Sequence, residues 1–394
     1  MNTNETTTGL YIHIPFCAAK CRYCDFLSFA GQGEEIRERY VQALKKELRL
    51  DAAAVGSAIT AVDSVFIGGG TPSLLTPAQL ASLLEEIAGV FPLTRDPEIT
   101  MEANPGTLTE EKLRACRTAG IKRLSLGVQS LDAGLLRFMG RIHSPEEFLE
   151  NYALARRCGF ENINLDLIFG IPGQSLSQWQ STLEQALSLE PEHLSFYSLQ
   201  IEEGTAFYEM EQKGELKLPD QEADRQMYHW ALERLDRAAY LHYEISNAAK
   251  NGFLCRHNLK YWSMEDYLGA GLGAHSFIGG LRFSNETALG RYLECLEAAP
   301  PREDPPCGPA VVWRHRNTEQ DQLSDFLFTG LRKTHGVSLS EFSRRFGAAP
   351  EVLFPQAVPK HLAAGLLEKD EAADRLRLTS RGLDLFNLVL RDLV

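Results

Sequence analysis

Long apolar runs are missing from this chain: nowhere do its 394 residues approach the roughly 20 consecutive apolar positions that span a bilayer. Nor does the opening MNTNETTTGL carry the basic stretch and apolar core of a secretory leader, so the expected location is the cytoplasm. Positive charge is short as well. Lys+Arg total 40 against Asp+Glu 53, a net charge of -13. That balance argues against nucleic acid or an anionic lipid surface as the main partner, since both demand a basic footprint. Cysteine, at 8 residues, is too sparse for a disulfide scaffold. Hydrophobic residues at 44% and charged residues at 24% exclude disordered and fibrous classes and leave enough apolar side chain for a full core. The length favours two domains over one.

The cysteines that are present are unevenly spread. Cys17, Cys21 and Cys24 fall in one eight-residue window, and in a reducing compartment such clustering points to metal. Cys116, Cys158, Cys255, Cys295 and Cys307 are scattered and read as small buried hydrophobes or inert surface thiols.

Apolar strands alternate with amphipathic helices along the first two thirds of the chain. Strands are expected at Leu10 to Ile14, Val62 to Ile67, Glu98 to Glu102, Arg123 to Val128, Ile163 to Phe169 and Leu194 to Leu199. Each is followed by a helical pattern, the last over about Asp220 to Ala239, and a strand near His242 to Ile245 closes the series. This alternation implies a parallel sheet, because each return to the same edge needs a crossover. A complete eight-unit barrel or an open doubly wound sheet gives a similar pattern. A partial (β/α)6, TIM-like barrel is favoured by where polar residues fall. Cys17, Gly69, Glu102, Gln129 and Asp166 all lie at or just beyond strand C-termini, the rim where such barrels build their sites.

The texture changes after about Asn285. The run AAPPREDPPCGP, Ala298 to Pro309, is too rich in proline to continue a helix or strand. The expected division is a barrel domain over 1–290, a linker over 291–317, and a small helical, winged-helix-like domain over 318–394 with a hairpin at RLRLT. From Asp321 onward ten Lys/Arg balance ten Asp/Glu, which is not the footprint of a DNA reader. A docking or lid role suits that domain better.

The segment YIHIPFCAAKCRYCDF places C-x3-C-x2-C immediately after a strand. Three thiolates on one loop can bind three corners of a 4Fe-4S cluster and leave the fourth iron open. Structural zinc needs four closed ligands, usually as two separated pairs, and no second pair stands nearby. With Tyr23 before the last cysteine, the spacing resembles the signature of the radical S-adenosylmethionine (SAM) superfamily. The resemblance implies Cys17, Cys21 and Cys24 on the cluster, and SAM held at its open iron as the source of a 5'-deoxyadenosyl radical. FIGGGTPS looks like the superfamily's glycine motif for the SAM methionine moiety, with Gly69, Gly70 and Thr71. MEANP with Glu102, GVQS with Gln129, MGRIHS with Arg141 and NINLDLIFGIPGQ with Asp166 are similar in the same way. Together with Tyr11 and Tyr23, these residues are implied in the cofactor and substrate pocket.

Across nearly the whole chain the resemblance narrows to the group that holds oxygen-independent coproporphyrinogen III dehydrogenase and HemW-type heme chaperones. Two departures speak against the dehydrogenase. That enzyme has a fourth cysteine where Phe26 stands, and a longer extension ahead of the first strand. CRHNLKYW is similar to the H-N-x-x-Y-W motif of the chaperones, which implies heme contact for His257, Asn258, Tyr261 and Trp262; imidazole is a common axial ligand of heme iron. A heme carrier delivering to apo-hemoproteins such as respiratory-chain enzymes is favoured over a radical tetrapyrrole-modifying enzyme, and self-association into a homodimer is left open.

Overall fold

The computed structural model describes residues 7–298 and 308–393. Six parallel strands form its centre: β1 (Thr8–Ile14), β2 (Val62–Gly69), β3 (Leu93–Ala103), β4 (Arg123–Gln129), β5 (Asn162–Phe169) and β6 (His193–Ser198), hydrogen-bonded in that order. Near-continuous burial along β1 and β4 follows from their apolar sequences, since a parallel strand covered on both faces has no solvent side. The crossover helices begin at sharp sequence signals. Thr76 with Gln79, Ser144 with Glu147 and Ser175 with Gln178 each close a reciprocal capping box, which satisfies amide groups that have no partner inside the helix. Between β4 and β5 the single helical stretch expected from sequence is two helices. Ala133–Met139 stops at Gly140, whose φ is +77°, and Pro145–Arg157 makes the return.

The sheet continues beyond the six strands at both edges. Leu241–Glu244 (β7) and Asn247–Ala249 (β8) form a hairpin joined antiparallel to β6 through β8. The strand expected near His242 to Ile245 is therefore half of a hairpin and no parallel unit, because its two-residue connection cannot make a crossover. At the other edge Tyr267–Ala270 (β9) runs parallel to β1, and His275–Ile278 (β10), Leu281–Asn285 (β11) and Val311–Arg316 (β12) follow antiparallel. The resulting order is β12-β11-β10-β9-β1-β2-β3-β4-β5-β6-β8-β7.

This alters the expected linker at 291–317. Helix Leu289–Ala298 packs its buried face, Tyr292, Leu293 and Leu296, into the main core, and β12 is the outermost strand of the sheet. Most of the proline-rich run, together with Cys307, lies outside the described residues. Cys116, Cys158 and Cys255 are buried, and all described cysteines are free thiols.

The C-terminal residues build a separate core around Leu327, Phe342, Val358 and Leu376, and a three-stranded antiparallel sheet that contains the expected hairpin, Leu367–Asp370 with Arg375–Leu378. This unit leans on both sheet edges. The amide of Ile245 donates to the carbonyl of Arg332 (3.1 Å) and that of Thr334 to Tyr243 (3.0 Å); on the other side Met264 and Phe277 join its core. It spans the gap between the edges of the curved sheet. No helix of the described residues is long and apolar enough to cross a membrane.

Candidate cofactor site at the barrel mouth

The loop after β1 carries the three cysteines and turns back across the C-terminal ends of the strands. Cys17, Cys21, Tyr23 and Cys24 line a cavity of about 470 Å³ together with Gly69, Gly70, Glu102, Gln129, Arg141 and Asp166. Residues spread over 150 positions of sequence thus meet on one rim. Among the described residues no three His, Cys, Asp or Glu side chains converge on a single ion. The three thiols suit a cluster better, since each would bind a different iron. Two polar contacts already reach the sulfurs: Thr71 Oγ1 to Cys17 Sγ and Arg141 Nη1 to Cys21 Sγ, both at 3.5 Å. Donors to cluster sulfur tune its charge and potential.

These donors are themselves held. Asn104 Nδ2 donates to Thr71 Oγ1 at 2.8 Å, and its Oδ1 accepts from Arg141 Nη2 at 2.6 Å; the same nitrogen donates to the carbonyl of Gly127 at 2.5 Å. Asn104 therefore links the two sulfur-contacting side chains, a role the sequence reading missed although the residue stands inside MEANP. Gln129 follows a register break between β4 and β5 and has a φ of +66°, a conformation that non-glycine residues adopt at a cost. The bulge aims its side chain along the rim.

The glycine turn is dictated by space. Gly69 has a φ of +110°, and its amide donates to Glu102 Oε2 at 3.0 Å. A Cβ at Gly70 would sit 2.7 Å from the carbonyl oxygen of Phe16 and 2.9 Å from that of Ile14. Any side chain there would push the cysteine loop off β2.

Below the rim two carboxylates face inward. Burial, reinforced by the charge of Asp166, pushes Glu102 up to about 7. Asp166 is also raised by burial, against bonds from Ser125 Oγ (2.9 Å) and Asn164 Nδ2 (2.8 Å) that favour its ionised form. A smaller cavity of about 180 Å³ continues inward past Tyr11, Arg123, Ser195 and Tyr197. Arg123 is fully buried, and its Nε and Nη1 have no partner. The inner polar positions Ser125 and Asn164 went unremarked in the sequence, although they alternate with apolar residues in RLSLG and NINLD.

His257, Asn258 and Tyr261 form the floor of that inner cavity. They belong to the helix Arg256–Trp262, which closes the barrel at the end opposite the cysteines. Glu98 on β3 accepts from the amides of Arg256 and His257, both at 3.2 Å, and Lys260 pairs with Asp63 and Glu265 at 3.0 Å each. Both ring nitrogens of His257 are engaged: Nδ1 with Ser64 Oγ at 3.0 Å and Nε2 with the Tyr261 hydroxyl at 2.8 Å. Phe66 stacks on the ring. Burial, with the charges of Lys260 and Arg123, lowers its pKa to about 3. Trp262 points away, beneath the Arg332 guanidinium at 4.3 Å. Three of the four residues implied in heme contact, His257, Asn258 and Tyr261, are thus brought together, at the base of the barrel and with the histidine occupied, while Trp262 is not among them. No residue of the C-terminal unit lines the cluster cavity, so its expected role as a lid finds no contact there.

Comparison with known proteins agrees with this geometry. The Radical SAM superfamily model matches residues 11–186 and the HemN C-terminal domain model residues 317–385. The heme chaperone HemW of Bacillus subtilis (strain 168) is 40% identical, covering 96% of this chain and 97% of the relative. HemW of Escherichia coli (strain K12) is 38% identical, covering 97% of each. Among solved structures, the radical SAM enzyme coproporphyrinogen III oxidase (HemN) from Escherichia coli covers 99% of this chain and 90% of its own, with a TM-score of 0.83 at 23% identity. At that identity the likeness shows the fold.

Proposed function

This chain belongs to the HemW family within the radical SAM superfamily, and on that premise we propose that it is a cytoplasmic heme chaperone that binds heme and passes it to apo-hemoproteins, respiratory-chain enzymes among them. Full-length similarity to proteins named as heme chaperones is the observation that carries the reading. The convergence of three cysteines, a glycine turn and inward carboxylates on one cavity supports a 4Fe-4S cluster on Cys17, Cys21 and Cys24. SAM would lie against Gly69, Gly70, Thr71, Glu102, Gln129, Arg141 and Asp166, with Tyr23 walling the pocket and Tyr11 further in, on the inner cavity. When bound, that pair supplies one-electron chemistry. The protein's own share would be the buried Glu102 carboxyl beside the glycine turn and the Arg141 charge at Cys21 Sγ.

Heme contact at His257, Asn258, Tyr261 and Trp262 takes a restricted form in this reading. Ligation by His257 requires one ring nitrogen to give up its partner, Ser64 or Tyr261, so uptake there is coupled to loosening of the helix at the barrel base. The inner cavity, at about 180 Å³, is below the 300–1,000 Å³ usual for drug-sized ligands, so the macrocycle cannot enter it unopened.

An anaerobic heme titration of the cluster-loaded protein, followed in the Soret region, tests the proposal. A saturable change near one heme per chain is expected, with no SAM cleavage dependent on coproporphyrinogen. Absence of saturable binding together with porphyrinogen-dependent 5'-deoxyadenosine would replace the carrier with a radical enzyme. The same titration of a dilution series, read by sedimentation, reports whether a homodimer forms.

A further inference from the structure

The outer strand β12 reads VVWRHR, and five of its six residues are exposed. Its far side pairs with no strand among the described residues. An open edge of this kind is a template for another chain, and proteins usually blunt it with charge, proline or a bulge. Here charge and a register break at Val312 are both present, yet Val312 is 61% and Trp313 48% exposed, the indole stacked on His315. A purely protective edge would not display them.

Cations outnumber carboxylates here in an acidic protein, although Asp266 lines the adjoining cleft and Asp321 contacts His315. Two neighbouring arginines are held by carboxylates: Arg282 by Asp325 and Arg377 by Glu368. Arg314 and Arg316 of β12, and Arg344 and Arg345 of the helix Leu339–Phe346, have no carboxylate within ion-pair distance among the described residues. Arg316 and Arg345 also line one cleft of about 380 Å³ between the sheet extension and the C-terminal unit, floored by Met264 and Phe277. Arg345 is steadied over Phe326 and Phe346, 5.7 Å from each ring centre.

We propose that β12 and this cleft form a docking surface for an acidic, extended segment of a partner protein. The segment adds a strand to the free edge, lays its apolar face on the Trp313 side of β12, and places carboxylates on the opposite side, at Arg314 and Arg316, and on Arg345. Backbone pairing supplies affinity in this mode and the flanking side chains supply selectivity. A second copy of the chain is disfavoured as occupant, since pairing two β12 edges would set arginine and histidine against each other, and like charges across strands repel. The surface is remote from the cluster mouth, so the inference stands apart from the heme reading.

The test uses the full chain and a fluorescent heptapeptide of alternating glutamate and valine, followed by anisotropy at low and moderate salt. Saturable binding is expected, weakened at least tenfold by Arg314→Glu with Arg316→Glu, and weakened by salt. A lysine–valine peptide should not bind, and the glutamate peptide N-methylated at alternate residues should lose its affinity, which separates strand addition from charge attraction alone. Arg345→Glu, at an exposed helix position on the cleft, is a second variant expected to weaken binding; unchanged thermal melts confirm that both variants fold. Failure of the glutamate peptide to bind, or binding indifferent to charge reversal or N-methylation, overturns the proposal. A dimer strengthened by Arg314→Glu would assign the edge to a second copy and overturn it equally.

Discussion

Replacing His257 by alanine separates two roles that the motif alone confounds. The ring lies between Phe66, 5.4 Å away, and Tyr261, 5.1 Å away and perpendicular, and it bonds to Ser64 and to the Tyr261 hydroxyl. Truncation leaves two buried hydroxyl groups without partners, at roughly 1–3 kcal/mol each, and removes aromatic contacts worth about 0.5–1.5 kcal/mol. These terms overlap, and the expected loss at pH 7 is about 3–5 kcal/mol. The pH dependence is more diagnostic. With a folded pKa near 3 against 6.5 for the free imidazole, the neutral ring stabilises the fold fully above pH 6.5. That contribution fades as pH falls from 6.5 towards 3, because the unfolded chain takes up the proton first. Between pH 7 and pH 5 the wild type loses about 2 kcal/mol from this residue, at roughly 1.4 kcal/mol per pH unit. The alanine variant loses nothing from it. Urea unfolding of both proteins at the two pH values should therefore show their difference shrinking by about 2 kcal/mol, with other buried histidines cancelling. A difference below 1 kcal/mol, or one equal at both pH values, would refute the account of the helix Arg256–Trp262 as a packed floor and return His257 to the role of an accessible ligand.

Other outcomes follow from the barrel mouth. Cys21→Ala should abolish cluster assembly on anaerobic reconstitution, measured as iron and sulfide per chain; a full complement would sink the ligand assignment. Gly70→Ala, whose new methyl group meets the backbone of Phe16 and Ile14, should lower cluster occupancy severalfold without removing a ligand, and normal occupancy would show that the turn yields. Arg141→Gln withdraws a positive charge from beside Cys21. The cluster potential should fall on the order of 50 mV, about a tenfold change for a one-electron couple; EPR-monitored redox titration would contradict this with an unchanged or raised potential. Burial pushes Glu102 up to about 7, so the ionised fraction of its carboxyl grows as pH rises from 6 to 8. Equilibrium dialysis should show SAM affinity rising more steeply between pH 6 and pH 8 in the wild type than in Glu102→Gln, and parallel profiles would take Glu102 out of the SAM site.

Much of this was legible because short-range rules govern it. The cysteine spacing, the glycine turn and the polar residues at strand ends could be read in order, and the six strands fall close to their expected positions because parallel strands covered on both faces are written as apolar runs. Edges were harder. Val311–Arg316 carries two arginines and a histidine in six residues and follows a proline-rich run, so nothing local distinguishes it from a linker; it is a strand because β11 offers it a ladder of backbone partners. Likewise Asn104 is an unremarkable turn residue until the fold sets Thr71 on one side of it and Arg141 on the other.

The sequence by itself determined the chemistry that one loop can carry: three thiols at fixed spacing, a turn that only glycine can make, and carboxylates that need a partner when buried. What only tertiary structure decided is which end of the barrel each group occupies. Helix Arg256–Trp262 reads the same whether it faces the cluster or the base, because its seven residues record neither Glu98, which accepts its first amides, nor Ser64, which holds the histidine. Those partners lie about 160 to 190 positions away in the chain, and only the curvature of the sheet brings them within 3 Å or so.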